Sequence, residues 1–551
     1  MNDLLRPAAE PNVPYARHAG AAARSATTTL TPYAGTWGRK EAVHLLKRTM
    51  FGAKKSDVDH LLTLTMSQAV DELLTPQTAP APPVNNYNNA NFTDAVVPFG
   101  QTWVNDTSNQ PNALGPRAVS LKAWCYGNMI NQSRSIEEKL VLFWHNHFST
   151  QISSYTQPVA GYRYISTIRQ YALGNFKDFV KAVTLDPAML FYLNGYLNTN
   201  TAPDENYARE LQELFTVGKD LPNHYTEDDV RAAARVLTGY RINPLTLTSY
   251  FDATQHDSTD KQFSSFYNNT LITGQSGANG ANELDDLLTM IFTQQETAKF
   301  ICRKLYRYFV YFDVDATIET NIIEPLADTL RTSGYDITSV LSQLFKSEHF
   351  FDMLNRGCII KSPTDFLVGL LREYSVPMPA STAIVDSYQA WMTLGYYSII
   401  LGQDVLDPPS VSGWPSYYQY PQYYELWINN STLPLRNQIT DGLVYVGVPV
   451  NTFTVKIDVL DFCANLPDPT DPVAVVSDTI DYLYMIDVSQ STKDYIRVYG
   501  LLGGQTTNAY WTSAWAAYVA NPTDPTARSV VQSKLQIMMK YLMDLSEYHL
   551  A

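Results

Sequence analysis

Between Ser135 and Thr150 the chain reads SIEEKLVLFWHNHFST, and this stretch limits the fold more than any other. Ser135 followed three residues later by Glu138 is a capping box, so the spacing predicts a helix starting there. Val141, Leu142, Phe143, Trp144 and Phe148 then cover every face of that helix. A helix that is apolar all round is buried within a larger helical body. Into it the sequence inserts His145, Asn146 and His147. An unpartnered buried polar group costs about 1–3 kcal/mol, so these three need partners or a task.

The rest of the chain repeats the helical pattern. EAVHLLKRTMFG ends at a glycine suited to a C′ position, and DVDHLLTL and SQAVDELL follow. GYRYISTIRQYALG and NFKDFVKAVTLDPAMLFYL have 3.6-residue apolar spacing, bounded by glycine or proline. In PDENYARELQELFTVG, Asp204 is a natural N-cap and Gly218 a stop. Thr226 to Asp229 is a second capping box, leading into VRAAARVLTGY.

The expected fold is mainly α, a large multi-helix body with long irregular loops and few or no short strands. Six stretches follow from the composition. They are an extended arm over 1–35, a helical part over 36–240 and an irregular loop over 241–280. A second helical part over 281–375, a Pro/Tyr-rich segment over 376–460 and a helical end over 461–551 complete the chain. Order is expected to begin near Trp37, and the helix after the aromatic connector to begin after Pro116.

The net charge of −15 argues against nucleic acid as a partner, because phosphate binding needs a basic surface. No apolar run reaches the length of a membrane span, and no secretory signal is visible near the start. Charged residues make up only 17% and tyrosine is abundant, which points outside the cytoplasm, so the compartment stays open. Cys125, Cys302, Cys358 and Cys463 have no CxxC spacing and read as buried free thiols. GxSxG, P-loop, GxGxxG and HExxH motifs are all missing.

Six blocks then occur in order: FWHNHF, ALGNFKDFVKAVTLDPAMLFYL, ENYARELQELFTVG, YTEDDVRAAARVLTGY, HDSTDKQF and PPSVSGWP. With AVHLLKRTMFG near the start and YLMDLSEYHLA at the end, the chain resembles the bacterial domain-of-unknown-function 1800 family over about residues 37–551. The resemblance implies no reaction. It implies a neighbouring gene for a sulfatase/alkaline-phosphatase-like partner. Many family members read E-L-x-E-L-H where this chain has Phe215, so a metal site relying on that histidine is weakened here.

Three clusters are candidate sites. His145 and His147 would point about 200° apart on a continuous helix, and could share an ion only if the helix ended between them. The polar STQISS after Phe148 allows such an ending, and H-x-H in extended backbone is common in zinc sites. The bland alternative ties both rings to buried carbonyls or carboxylates.

The second cluster is Glu205, Arg209, Glu210 and Glu213, where Glu205 and Arg209 read as an i,i+4 ion pair. Glu210 and Glu213 share a face as metal ligands or an acid/base pair. Arg231 and Arg235 are expected to reach Glu210 or Glu213 if buried. The third cluster is His256, Asp257 and Lys261, read either as an anion site or as an Asx turn with a solvated lysine.

The leading expectation is a buried polar site for hydrolysis, or metal-assisted chemistry on a polar substrate such as a sulfated or phosphorylated glycan. Its catalytic candidates are His145, His147, Glu205, Glu210, His256 and Asp257. Arg209, Lys261 and Trp144 are candidate substrate contacts, and His145, His147, Glu210 and Glu213 would hold a divalent transition metal. The competing expectation is a non-catalytic scaffold or homo-oligomer docking through the Tyr/Pro-rich 402–428 segment and the N-terminal arm.

Overall fold

The computed structural model describes residues 28–108, 110–219 and 224–551. The arm predicted over 1–35 lies outside the described residues up to residue 27. From Thr28 the backbone docks on the body, with Tyr33 N–H donating to the Lys346 carbonyl at 2.8 Å.

Helices make up most of the structure, and the only strands among the described residues form three two-stranded antiparallel hairpins. Two of these, Tyr240–Asn243 with Thr248–Phe251 and Lys261–Gln262 with Leu271–Ile272, lie in the stretch read as a loop. The 402–428 segment contains only short 3₁₀ turns. No described helix is long and apolar enough to cross a membrane. Cys125, Cys302 and Cys463 are buried free thiols and Cys358 is half-buried.

Local chemistry explains several helices directly. Asn175 caps Phe176–Thr184 by accepting the Asp178 N–H at 3.1 Å. That helix buries Phe176, Phe179, Val180 and Val183, one stripe at helical spacing. The Thr226 capping box forms as read, at the start of Glu227–Val236. The helix expected after Pro116 begins earlier, at Pro111, because a proline at N1 gives up no hydrogen bond.

The central helix spans Glu137–His147, and its expected capping box does not form. Ser135 Oγ accepts the Glu137 N–H at 3.2 Å, but the Glu138 carboxylate turns away to Arg169 Nη2, at 2.7 and 2.9 Å. A charged partner outcompetes a backbone N–H for a buried carboxylate. This helix packs against Pro111–Asn131 and Pro158–Tyr171. Trp144, fully buried, donates its Nε1–H to the Ala172 carbonyl at 3.0 Å. Full burial of one such aromatic contributes about 2–3 kcal/mol. One continuous core runs from Ala42 to Ala551.

The ENYARELQELF block begins as an α-helix over Asn206–Glu210 and widens to a π-helix over Leu211–Thr216. Gly218, at φ +91°, follows its end. Widened turns of this kind concentrate at functional sites, because they free backbone groups for other partners.

Candidate functional site

The π-helix ends facing the Gln295–Phe309 helix, and its last carbonyls take side-chain partners. The Leu214 carbonyl accepts from Lys304 Nζ at 3.1 Å, and the Phe215 carbonyl from His147 Nε2 at 3.1 Å. Both donors line a cavity of about 290 Å3. Its wall also draws on Phe143 and Asn146 of the central helix, Glu213 and Leu214 of the π-helix, and Ser412 and Ser416 beside the SGWP turn. Three sequence blocks far apart in the chain therefore meet at one hollow.

Gly413 makes one of these meetings sterically feasible. It sits at φ +90°, and a Cβ there would lie 2.2 Å from Asn146 Oδ1. With no Cβ in the way, Asn146 Oδ1 accepts the Trp414 N–H at 2.9 Å. That bond occupies the oxygen and leaves the amide nitrogen as the group Asn146 offers the cavity.

The electrostatics of the hollow invert those of the whole chain. A protein of net charge −15 gathers Lys47, Arg48, Lys139, Lys219, Lys304 and Arg307 around it, against Glu213 and Asp365. Lys47 pairs with Glu373, Lys139 with Asp365, and Lys219 with Glu213. Lys304 and Arg307 pair with no carboxylate among the described residues. Lys304 lies 4.8 Å from the Phe300 ring centre, and Arg307 donates Nε–H to the Phe312 carbonyl at 3.2 Å. Burial, reinforced by the Arg307 charge, pulls the Lys304 ammonium down to about 7.

An aromatic wall lines the same cavity, made by the Pro/Tyr-rich segment together with Tyr308 and Phe312, and the Arg307 guanidinium stands 5.9 Å from the Tyr423 ring centre. Tyr417, Tyr418, Tyr420, Tyr423, Tyr424 and Trp427 all line the cavity. Tyr417 packs on Trp427 at 5.6 Å between ring centres, and Phe312 on Tyr423 at 5.1 Å. Tyr420, 79% exposed, stands at the rim.

The structure separates the residues singled out in the sequence. The central helix continues through His147, so the two histidines face different sides. His147 keeps Nδ1 unpartnered, and burial followed by the nearby Lys304 charge holds its ring neutral. His145 lies away from the cavity, its ring 6.0 Å from Tyr164 and 5.7 Å from Trp414. Neither of its nitrogens has a partner, and burial pulls its pKa to about 4. The bland reading of buried histidines therefore fits His147 in part and His145 not at all. Trp144, expected to touch substrate, is a core residue.

Among the described residues no group of three or more His, Cys, Asp or Glu side chains could hold a metal ion. The proposed ligand set of His145, His147, Glu210 and Glu213 does not assemble, because one helix carries the two buried rings on different faces. Phe215 occupies the position discussed for a family histidine, 6.0 Å from His147 between ring centres.

Glu205 and Arg209 form the ion pair read from their spacing, at 3.0 Å, and Arg209 adds Glu227 at 2.7 Å. Arg231 and Arg235 do not reach Glu210 or Glu213. Arg231 pairs with Asp228 at 2.6 Å, and Arg235 with Asp257 at 2.7 Å. Glu210 is half-buried outside the cavity lining; burial and then the Glu213 charge raise its carboxyl.

His256, Asp257 and Lys261 tie the 241–280 stretch to its neighbours rather than facing a hollow. Lys261, fully buried, donates to the Glu283 carboxylate and the Asp257 carbonyl, so it is not the solvated lysine of the turn reading. His256 Nε2 lies 3.1 Å from Glu283. Burial works against ionised Asp257, but hydrogen bonds from Arg235 and Thr259 outweigh it and hold the carboxyl at about 2.

Lys304 and Arg307 were not singled out in the sequence, although a signal was present. Neither has an acidic residue three or four positions away in KFICRKLYRYFV, unlike Arg209 with Glu205.

No curated protein and no solved structure matches the chain. The model of one family, described as a protein of unknown function (DUF1800), matches residues 44–550, nearly the whole described body. By that match the chain belongs to the DUF1800 family.

Proposed function

We propose that the cavity binds an acidic, ring-bearing polar ligand, a sulfated or phosphorylated glycan, and that hydrolysis of it is this protein's activity. The observation that carries the reading is the pair Lys304 and Arg307. They are two cations one helical turn apart, without carboxylate partners, facing an aromatic wall in an otherwise acidic protein. Half-buried cations without a carboxylate partner suit an anion, and aromatic faces pack against the apolar faces of sugar rings.

Lys304 also suits proton transfer, since a group titrating near 7 is matched to work at neutral pH. Glu213 and Asp365 are the carboxylates lining the same cavity, and His147 Nδ1 is a buried acceptor beside them without a partner. The metal-assisted version of this chemistry has no ligand set to rest on among the described residues.

A panel of sulfated, phosphorylated and neutral oligosaccharides, followed by tryptophan fluorescence, tests the reading. The acidic members are expected to change the emission of Trp427 and the neutral ones to leave it unchanged. Equal response to both, or response to neither, would remove the anion-binding claim. Binding without any release of reducing ends or of sulfate or phosphate would leave a binding protein and remove the hydrolysis.

A further inference from the structure

A second cationic cluster lies behind the cavity wall, around the ring of Phe366. Arg436, from the Thr432–Asp441 helix, is fully buried. Its Nη2 donates to the Lys361 carbonyl at 2.9 Å, while Nε and Nη1 have no partner. Its guanidinium carbon stands 4.9 Å from the Phe366 ring centre. His549 packs tilted against the same ring at 5.7 Å between centres, 2% exposed, with both nitrogens unpartnered. Lys361 is 4% exposed, with its ammonium 4.3 Å from the Tyr548 ring centre and no carboxylate in ion-pair range among the described residues.

The surrounding acids are largely committed, although Glu373 Oε2 keeps no hydrogen-bond partner. Glu373 is bonded to Lys47 through Oε1, and Asp365 to Lys139 and Ser362. A buried guanidinium with two idle donors is among the most costly arrangements a core can hold. The deficit here is of negative charge.

We propose that Arg436, Lys361 and His549 enclose a site for one monovalent anion of the halide class. The Arg436 Nε–H and Nη1–H are its donors, with the Lys361 ammonium and one His549 N–H completing the shell. Deep burial favours a small monovalent ion, since a divalent oxyanion would be far costlier to strip of water. Burial pulls Arg436 down to about 9, with Asp365 opposing it, and burial followed by neighbouring cations pulls His549 down to about 3; burial, against the pull of Glu373, brings Lys361 to about 7.

The test is anomalous diffraction from crystals of the whole protein grown in sodium bromide, paired with thermal unfolding in chloride or gluconate at equal ionic strength. A bromide peak is expected within hydrogen-bonding reach of Arg436 Nε, and chloride is expected to raise the midpoint by several degrees over gluconate. Arg436→Met and Lys361→Met, the second as a milder change, should each lose that chloride dependence. Water alone at the position would overturn the proposal. So would a bromide peak without any chloride effect near about 0.15 M salt, which would mark an adventitious ion.

Discussion

Two polar clusters of similar composition behave in opposite ways. Around Glu283, Lys261 and His256 converge on one carboxylate and Arg235 holds Asp257, so every charge is answered from within the protein. Around Lys304 and Arg307 the cations meet only carbonyls and ring faces. The first cluster spends its polarity on holding a long excursion of the chain in place. On the proposed reading, the second leaves charge for a ligand from outside the chain. Completeness of pairing, more than residue type, separates the two clusters.

The comparison breaks first under substitution of Glu283. Glu283→Gln leaves Lys261 buried without its carboxylate and is expected to destabilise the fold by about 3–5 kcal/mol, read from urea unfolding. Ligand binding in the cavity should persist wherever the variant is folded. A loss under 1 kcal/mol would mean that this network is not structural.

The double variant Lys304→Met/Arg307→Met is predicted to do the reverse. Affinity for a sulfated oligosaccharide should fall by roughly 100-fold, about 2.7 kcal/mol. Stability should hold or rise near pH 6, because the unfolded chain keeps Lys304 protonated while the folded state must bury that charge. Destabilisation comparable to that of Glu283→Gln would erase the contrast between the clusters.

A smaller effect is expected from pH. Lys304 titrates near 7 in the free protein, and a bound anion raises that value. Affinity is then fully present below pH 7 and declines as pH rises through it, by at most about tenfold per pH unit for one proton. Titrations at several pH values should show this slope in the wild type and none in Lys304→Met.

The smallest change should come from His145→Phe. Neither nitrogen of this ring has a partner, and its neighbours are aromatic, so the substitution is expected to stay within about 1 kcal/mol by thermal unfolding. A loss above about 2 kcal/mol would reveal a polar partner for the imidazole.

The helical body was readable from the sequence because periodicity and caps are local signals. The stripe Phe176, Phe179, Val180 and Val183 and the Thr226 box form as their spacing predicts. The Ser135–Glu138 box fails because Arg169, thirty-one residues from Glu138, claims the carboxylate, and no local rule sees that distance. The candidate site was readable only in part. FWHNHF, ELQEL and the Tyr/Pro-rich segment do converge on one cavity, but through Asn146, His147, Glu213 and the tyrosines rather than through His145, Trp144 or Glu210. Lys304 and Arg307 escaped notice because unpaired cations are recognised by what is missing across the fold.

The central claim is that the Lys304–Arg307 side of the cavity awaits an anion. Isothermal titration of the wild-type protein with a sulfated disaccharide and its unsulfated counterpart, at pH 6 and in low salt, tests it most directly. Saturable binding of the sulfated sugar alone, abolished in Lys304→Met/Arg307→Met while the variant keeps its unfolding midpoint, is the predicted result. Equal binding of both sugars, or binding that survives the double substitution, would contradict it.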